Sequence, residues 1–130
     1  MNLEISELSN SGDVRGKSFT VPAEALAFLG GIADIHLASA DSGAIRGNHY
    51  HLRRRSAIVL LPGTPWSLHW DEGEGLPAQH RQFDGTSAVL VLVWPGASHA
   101  IRSDGDSALW LIACSSEPYD PTETVARKVV

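Results

Sequence analysis

What most limits the fold of this chain is the length of its apolar runs. They fall at 33–40, 44–51, 56–61, 66–71, 78–83, 88–93, 99–102 and 108–114, and none is long enough for an ordinary core helix. Turn-forming residues separate them: Asp41-Ser-Gly43, Pro62-Gly-Thr-Pro65, the acidic Asp71-Glu-Gly-Glu-Gly75, Asp84-Gly85, Pro95-Gly96 and Asp104-Gly-Asp106. Eight short strands punctuated in this way predict an all-β sandwich or barrel with a jelly-roll strand count. One short helix is expected over 22–29, with Pro22 at its first position and Gly30-Gly31 ending it. The 130 residues are read as one domain: an N-terminal arm and helix over 1–31, a barrel over 32–115 and a C-terminal arm over 116–130.

Charge narrows the partners. Lys plus Arg number 10 against 15 Asp plus Glu, a net charge of −5, which argues against nucleic acid and anionic membranes as ligands. No apolar stretch approaches the roughly 20 residues that span a bilayer, and residues 1–8 are acidic and unlike a secretory signal. The single cysteine, Cys114, cannot form an internal disulfide and reads as an inert thiol in a reducing compartment. A soluble, cytoplasmic protein is expected. The outward residues Ala57, Val59 and Leu61 accompany inward Ile58 and Leu60, so the strand needs cover on both faces, and a homodimer is expected to supply it.

Chemistry concentrates in the histidines. His49 and His51 leave the same face of a strand with Cα atoms about 7 Å apart, and His99 opens a later strand that a closed barrel can bring beside them. Three imidazoles with an open position form a workable site for a divalent metal such as Zn, Fe, Ni or Mn. Spacing alone is equally compatible with a polar strand face.

The surrounding residues are more specific. Gly43-Ala-Ile-Arg-Gly-Asn-His49-Tyr-His51, with Gly63 beyond it, resembles the first motif of the RmlC-like cupin superfamily, and Pro95-Gly-Ala-Ser-His99 resembles the second. The resemblance implies a cupin barrel, a double-stranded β-helix of jelly-roll type. Arg46-Gly-Asn-His49 further resembles the signature of the sugar-nucleotide epimerases and ketoisomerases of this superfamily, as Asp13-Val-Arg-Gly16 does their opening. Glu117-Pro-Tyr-Asp-Pro121 resembles the ending of the cupin domain attached to capsular-polysaccharide sugar reductases.

These likenesses imply an epimerase or isomerase that removes a proton beside the ketone of a nucleotide-linked 4-keto-hexose, in surface-polysaccharide synthesis. His49 stands at the base position; Arg46, His51, Trp66 and His69 are candidate substrate contacts; no nucleotide cofactor is expected. The metal cupins carry a Glu where this chain has Ser56. The epimerases pair their base with a Tyr acid, but Tyr50 alternates away from His49 and Tyr119 lies in the C-terminal arm, so no acid is assigned. Two other readings remain open: a metal-dependent oxygenase or cyclase built on His49, His51 and His99, and a non-catalytic cupin that binds a small ligand.

Weaker candidates have bland readings. Arg53-Arg54-Arg55 reads as a solvated turn, Trp94 and Trp110 as core, and Trp66 with Trp70 as a face that can border the cavity. His69 and His80 share a predicted hairpin, and Glu72 and Glu74 have no evident partner. Arg46 has the wrong parity to join His49 on a regular strand, but Gly47 permits a bulge that re-aims it.

Overall fold

The computed structural model describes residues 3–73 and 76–130; Glu74 and Gly75, at the tip read above as an acidic turn, and residues 1–2 lie outside the described residues. Among the described residues, ten strands form two antiparallel sheets. They are β1 (Leu3–Glu7), β2 (Asp34–Ala40), β3 (Ile45–His51), β4 (Ser56–Leu60), β5 (Trp66–Trp70), β6 (Gln79–Phe83), β7 (Val89–Val93), β8 (His99–Ser103), β9 (Leu109–Ser115) and β10 (Thr124–Ala126). One sheet runs β1-β7-β4-β9-β2 and the other β10-β3-β8-β5-β6. All eight expected strands form. The two additional strands come from the arms, which are thus parts of the sheets rather than loose extensions.

The helix α1 (Ala23–Leu29) forms where expected, except that Pro22 is the extended residue preceding it rather than its first residue. Gly30 ends it in the left-handed region, at φ 71°, and donates its N–H to the carbonyls of Leu26 and Ala27. Helix α1 buries Ala25 and Leu29 in a layer with Leu8, Ala57, Leu90 and Leu92, and Val59 packs against that layer. The outward face of β4 is therefore covered from within the chain, which corrects the reason given above for a dimer. The face left open lies further along the same sheet, where Ile35, Leu37 and Trp110 are 58 %, 65 % and 55 % exposed on β2 and β9.

Between the sheets, Ile58, Leu60, Trp66, Leu68, Val89, Val91 and Leu109 make the main core. Strand parity reverses the reading of the tryptophans. Trp66 and Trp70 point inward into this core, and Trp66, 1 % exposed, stacks on Phe83 at 4.2 Å between ring centroids. Trp94 and Trp110 are the ones that reach solvent. No helix among the described residues is long and apolar enough to cross a membrane.

Candidate functional site

Strand β3 carries the first two histidines, and its local irregularity decides what joins them. Arg46 pairs with Ile101 and Gly47 with Ala100, but the next pairing is His49 with His99, so Asn48 is an extra residue. Gly47 and Asn48 take φ of 109° and 57°. The bulge changes the parity of the strand, so Arg46 and His49, three positions apart, both face the barrel interior. Only glycine suits position 47, because a Cβ there would lie 2.6 Å from the His99 carbonyl oxygen. Asn48 tolerates the left-handed region. Its side-chain oxygen accepts from the N–H groups of Val129 and Val130, which ties the C-terminal arm to the bulge.

The three imidazoles converge. Ring centroids are 4.8 Å apart for His49 and His51, 5.0 Å for His49 and His99, and 6.1 Å for His51 and His99. They line a cavity of about 430 Å³ together with Arg46, Arg54, Ser56 and Tyr119. His99 is fixed by its Nδ1, 2.9 Å from the Ala97 carbonyl. A carbonyl only accepts, so Nδ1 carries the hydrogen and a neutral ring presents its Nε2 lone pair. His51 is held similarly: its Nδ1 lies 3.1 Å from the Thr124 hydroxyl and 3.3 Å from Glu123 Oε1. No comparable partner constrains His49 among the described residues.

Burial keeps these rings neutral. Desolvation pushes His99 down to about 4, with smaller contributions from His49 and His51, against the opposing bond from Ala97. Desolvation also pushes His51 down to about 4; His49 and Arg54 add to this, and Glu123 opposes it. His49 is lowered by desolvation first and by the Arg54 charge second.

Glu123, 1 % exposed, is the residue that sequence reasoning passed over. Its Oε2 accepts from the backbone N–H groups of Arg53 and Arg54 at 2.8 and 3.1 Å, so it closes the turn after the histidine pair. A short 3-10 turn, Pro121–Glu123, sets it there, started by Asp120, whose side chain accepts from Thr122 N–H. That Asp-Pro start was the available signal. Strand β10 then pairs Thr124 with His51 and Ala126 with His49.

Other expectations fare unevenly. Arg46 reaches the cavity, its Nε donating to the Ser39 carbonyl at 2.5 Å. Ser56 lines the cavity and supplies no carboxylate. Tyr119 comes to the cavity from the arm. Trp66 does not, because its inward direction falls within the packed core. Nor does His69: it alternates to the opposite face of β5 from Trp66, where it bonds Ser67 at 2.8 Å and stacks on His80. Of the arginine run, Arg55 donates to the Leu29 carbonyl, Arg53 pairs with Asp120 at the surface and Arg54 alone turns inward.

No family model matches this chain, and no curated protein matches it. Among solved structures it is similar to ChmJ, a 3'-monoepimerase from Streptomyces bikiniensis crystallised with dTDP-quinovose. That match has 22 % identity and a TM-score of 0.79 and covers 96 % of this chain and 69 % of the other. It is similar also to QdtA, a sugar 3,4-ketoisomerase from Thermoanaerobacterium thermosaccharolyticum crystallised with TDP, at 14 % identity and a TM-score of 0.71 over 95 % of this chain and 87 % of that one. The capsular polysaccharide assembling protein CapF from Staphylococcus aureus matches at 18 % identity and a TM-score of 0.68, over 94 % of this chain and 34 % of its own. Two five-stranded antiparallel sheets and these likenesses give this chain the cupin jelly-roll fold.

Proposed function

We propose that the chain is an epimerase or isomerase of a nucleotide-linked 4-keto-hexose, with His49 as its base. The observation that carries this reading is the His49 ring, its pKa lowered by burial and its nitrogens without a hydrogen-bond partner among the described residues, in a cavity whose other two imidazoles are fixed by outer partners. A carbon acid beside a ketone is weak and needs a base that is unprotonated near neutral pH. The cavity-facing nitrogens of His51 and His99 are acceptors and can orient sugar hydroxyls, and Arg46 suits a diphosphate. Tyr119 brings a phenolic hydroxyl to the same space. The likeness to ChmJ, QdtA and CapF supports the substrate class and a polysaccharide setting, and a nucleotide sugar fits a cytoplasmic site of action. The test is solvent deuterium uptake at the carbon beside the ketone, followed by mass spectrometry with dTDP-4-keto-6-deoxyglucose and related 4-keto sugars. Incorporation is expected; folded protein that exchanges none of them overturns the reading.

A metal centre is a second reading, favoured by the donor set. The ligand atoms of His49, His51 and His99 lie within 4.8 Å of one another, burial lowers the pKa of all three rings, and two have their outer nitrogens bonded. These residues fit Zn, Fe, Ni or Mn with positions left for substrate. Such an ion would supply Lewis acidity toward a substrate oxygen. Elemental analysis is expected to find about one ion per chain, lost in His51→Ala; metal-free protein with full activity excludes this reading.

The homodimer is retained on different residues. The open face of Ile35, Leu37 and Trp110 adjoins β2, an edge strand of its sheet, so a second copy can cover side chains and continue the sheet together. Sedimentation is expected to give twice the chain mass, falling to the monomer in Leu37→Asp; a wild-type monomer at micromolar concentration counts against it.

A further inference from the structure

Two of the three cavity imidazoles sit in one cross-strand row. Ala126 on β10 pairs with His49 on β3, His49 with His99 on β8, and His99 with Trp70 on β5. The residues that follow the two ends of this row, Arg127 and Asp71, form an ion pair, Nε to Oδ2 at 3.1 Å. The Asp71 side chain is 9 % exposed and that of Arg127 24 %, so this pair is far more shielded than the surface pair of Arg15 with Asp13. The other Asp71 oxygen accepts from the Gly73 N–H at 3.2 Å, which fixes the carboxylate beside the end of β5. At the opposite end, the Arg127 N–H donates to the Asn48 carbonyl at 2.7 Å, and the Asn48 amide donates to the Val130 carbonyl at 3.1 Å. The segment carrying the arginine is thereby fastened to the bulge next to His49. Neither Arg127 nor Asp71 lines the histidine cavity.

We propose that Arg127 and Asp71 are positioning residues: their ion pair clasps the two ends of the row, sets the curvature of the sheet there and so holds His49 in place against His99. The catalytic consequence rests on the reading of His49 as the base; the geometric one does not. Neighbouring strands rotate against each other by roughly 10 to 35°, and side chains on one face of a row spread or converge as that rotation changes. Backbone pairing leaves this freedom largest at β10, a three-residue strand at the edge of its sheet. Joining the ends removes it, because the row cannot flatten without drawing the guanidinium away from the carboxylate. Shielding keeps the pair effective in salt, which screens exposed charges far more than partly buried ones. Proton transfer is sensitive to such placement, since a displacement of about 1 Å can cost about 100-fold in rate.

Two measurements on the full chain test this, with Arg127→Gln, Asp71→Asn and Arg127→Lys. The Asn variant loses the charge but keeps an acceptor for the Gly73 N–H, and the Lys variant keeps the cation. The first measurement is the nuclear Overhauser contact between the ring protons of His49 and His99, whose centroids are 5.0 Å apart. It is expected to weaken in Arg127→Gln and Asp71→Asn and to persist in Arg127→Lys, while the contact between Trp66 and Phe83 in the core stays unchanged. An unchanged histidine contact in Arg127→Gln or Asp71→Asn overturns the proposal whether or not the protein proves to be an isomerase. So does a core contact that weakens in parallel, which would show general loosening of the fold. In the exchange assay, Arg127→Gln and Asp71→Asn are expected to lose about 10- to 100-fold in kcat with KM changed by less than about threefold, and Arg127→Lys to stay within a few-fold of the wild type. An unchanged kcat, a loss confined to KM, or a Lys variant as slow as the Gln variant overturns it. A weakened histidine contact in a protein that exchanges no keto sugar leaves the clasp standing and removes the isomerase reading alone.

Discussion

Replacing His49 with Asn is expected to lower the rate of exchange beside the ketone by about 100- to 10,000-fold, the range that a positioned general base contributes. Asn approximates the size of the imidazole and leaves the β3 bulge unaltered, so the melting temperature should barely move. The pH profile gives the sharper test. Desolvation, and after it the Arg54 charge, lower the pKa of His49 from its ordinary 6.5. A base works in its unprotonated form, so activity falls only once the pH drops below that lowered value. The acidic limb of kcat/KM is therefore expected below pH 6.5, and in Arg54→Gln it should move upward, because removing a nearby cation makes protonation easier. A limb above pH 6.5, or one that moves the other way in Arg54→Gln, would mean that another group is the base.

The parts of this molecule that could be read from sequence were those governed by local chemistry. Strand alternation and turn residues located the eight barrel strands, and Gly47 marked the bulge that turns Arg46 inward. The histidine triad followed from His49, His51 and the turn before His99. What escaped depends on which face of a strand meets which layer. An apolar run does not say whether its tryptophan points to the core or to solvent, and so the roles of Trp66 and Trp110 came out reversed. Glu123 and Arg54 escaped for a related reason. Charged residues near a terminus or in a turn are usually solvated, and only the pairing of β10 with β3 reveals that this carboxylate is drawn under the histidine pair.

Glu123→Ala is expected to be the most damaging single change to stability. It removes the acceptor of two backbone N–H groups, leaves the largely buried Arg54 without its counter-charge and strips His51 of a partner. Breaking a buried pair from one side costs about 3–5 kcal/mol, which for a chain of this size lowers the melting temperature by roughly 10–20 °C. Scanning calorimetry measures it directly; a loss of only a few degrees would show that the arm is not held by this carboxylate. Glu123→Gln separates the structural role from the chemical one. The amide oxygen still accepts from Arg53 and Arg54, so most of the stability should survive. The amide nitrogen then faces His51 Nδ1 in place of a carboxylate oxygen, and two donors cannot face each other. His51 must therefore give up the hydrogen on Nδ1 and carry it on Nε2, where it points into the cavity as a donor instead of a lone pair. The ¹⁵N shifts of the His51 ring report which nitrogen is protonated, and the tautomer is expected to switch in Glu123→Gln while the protein remains folded. An unswitched ring would mean that the Thr124 hydroxyl alone sets its orientation.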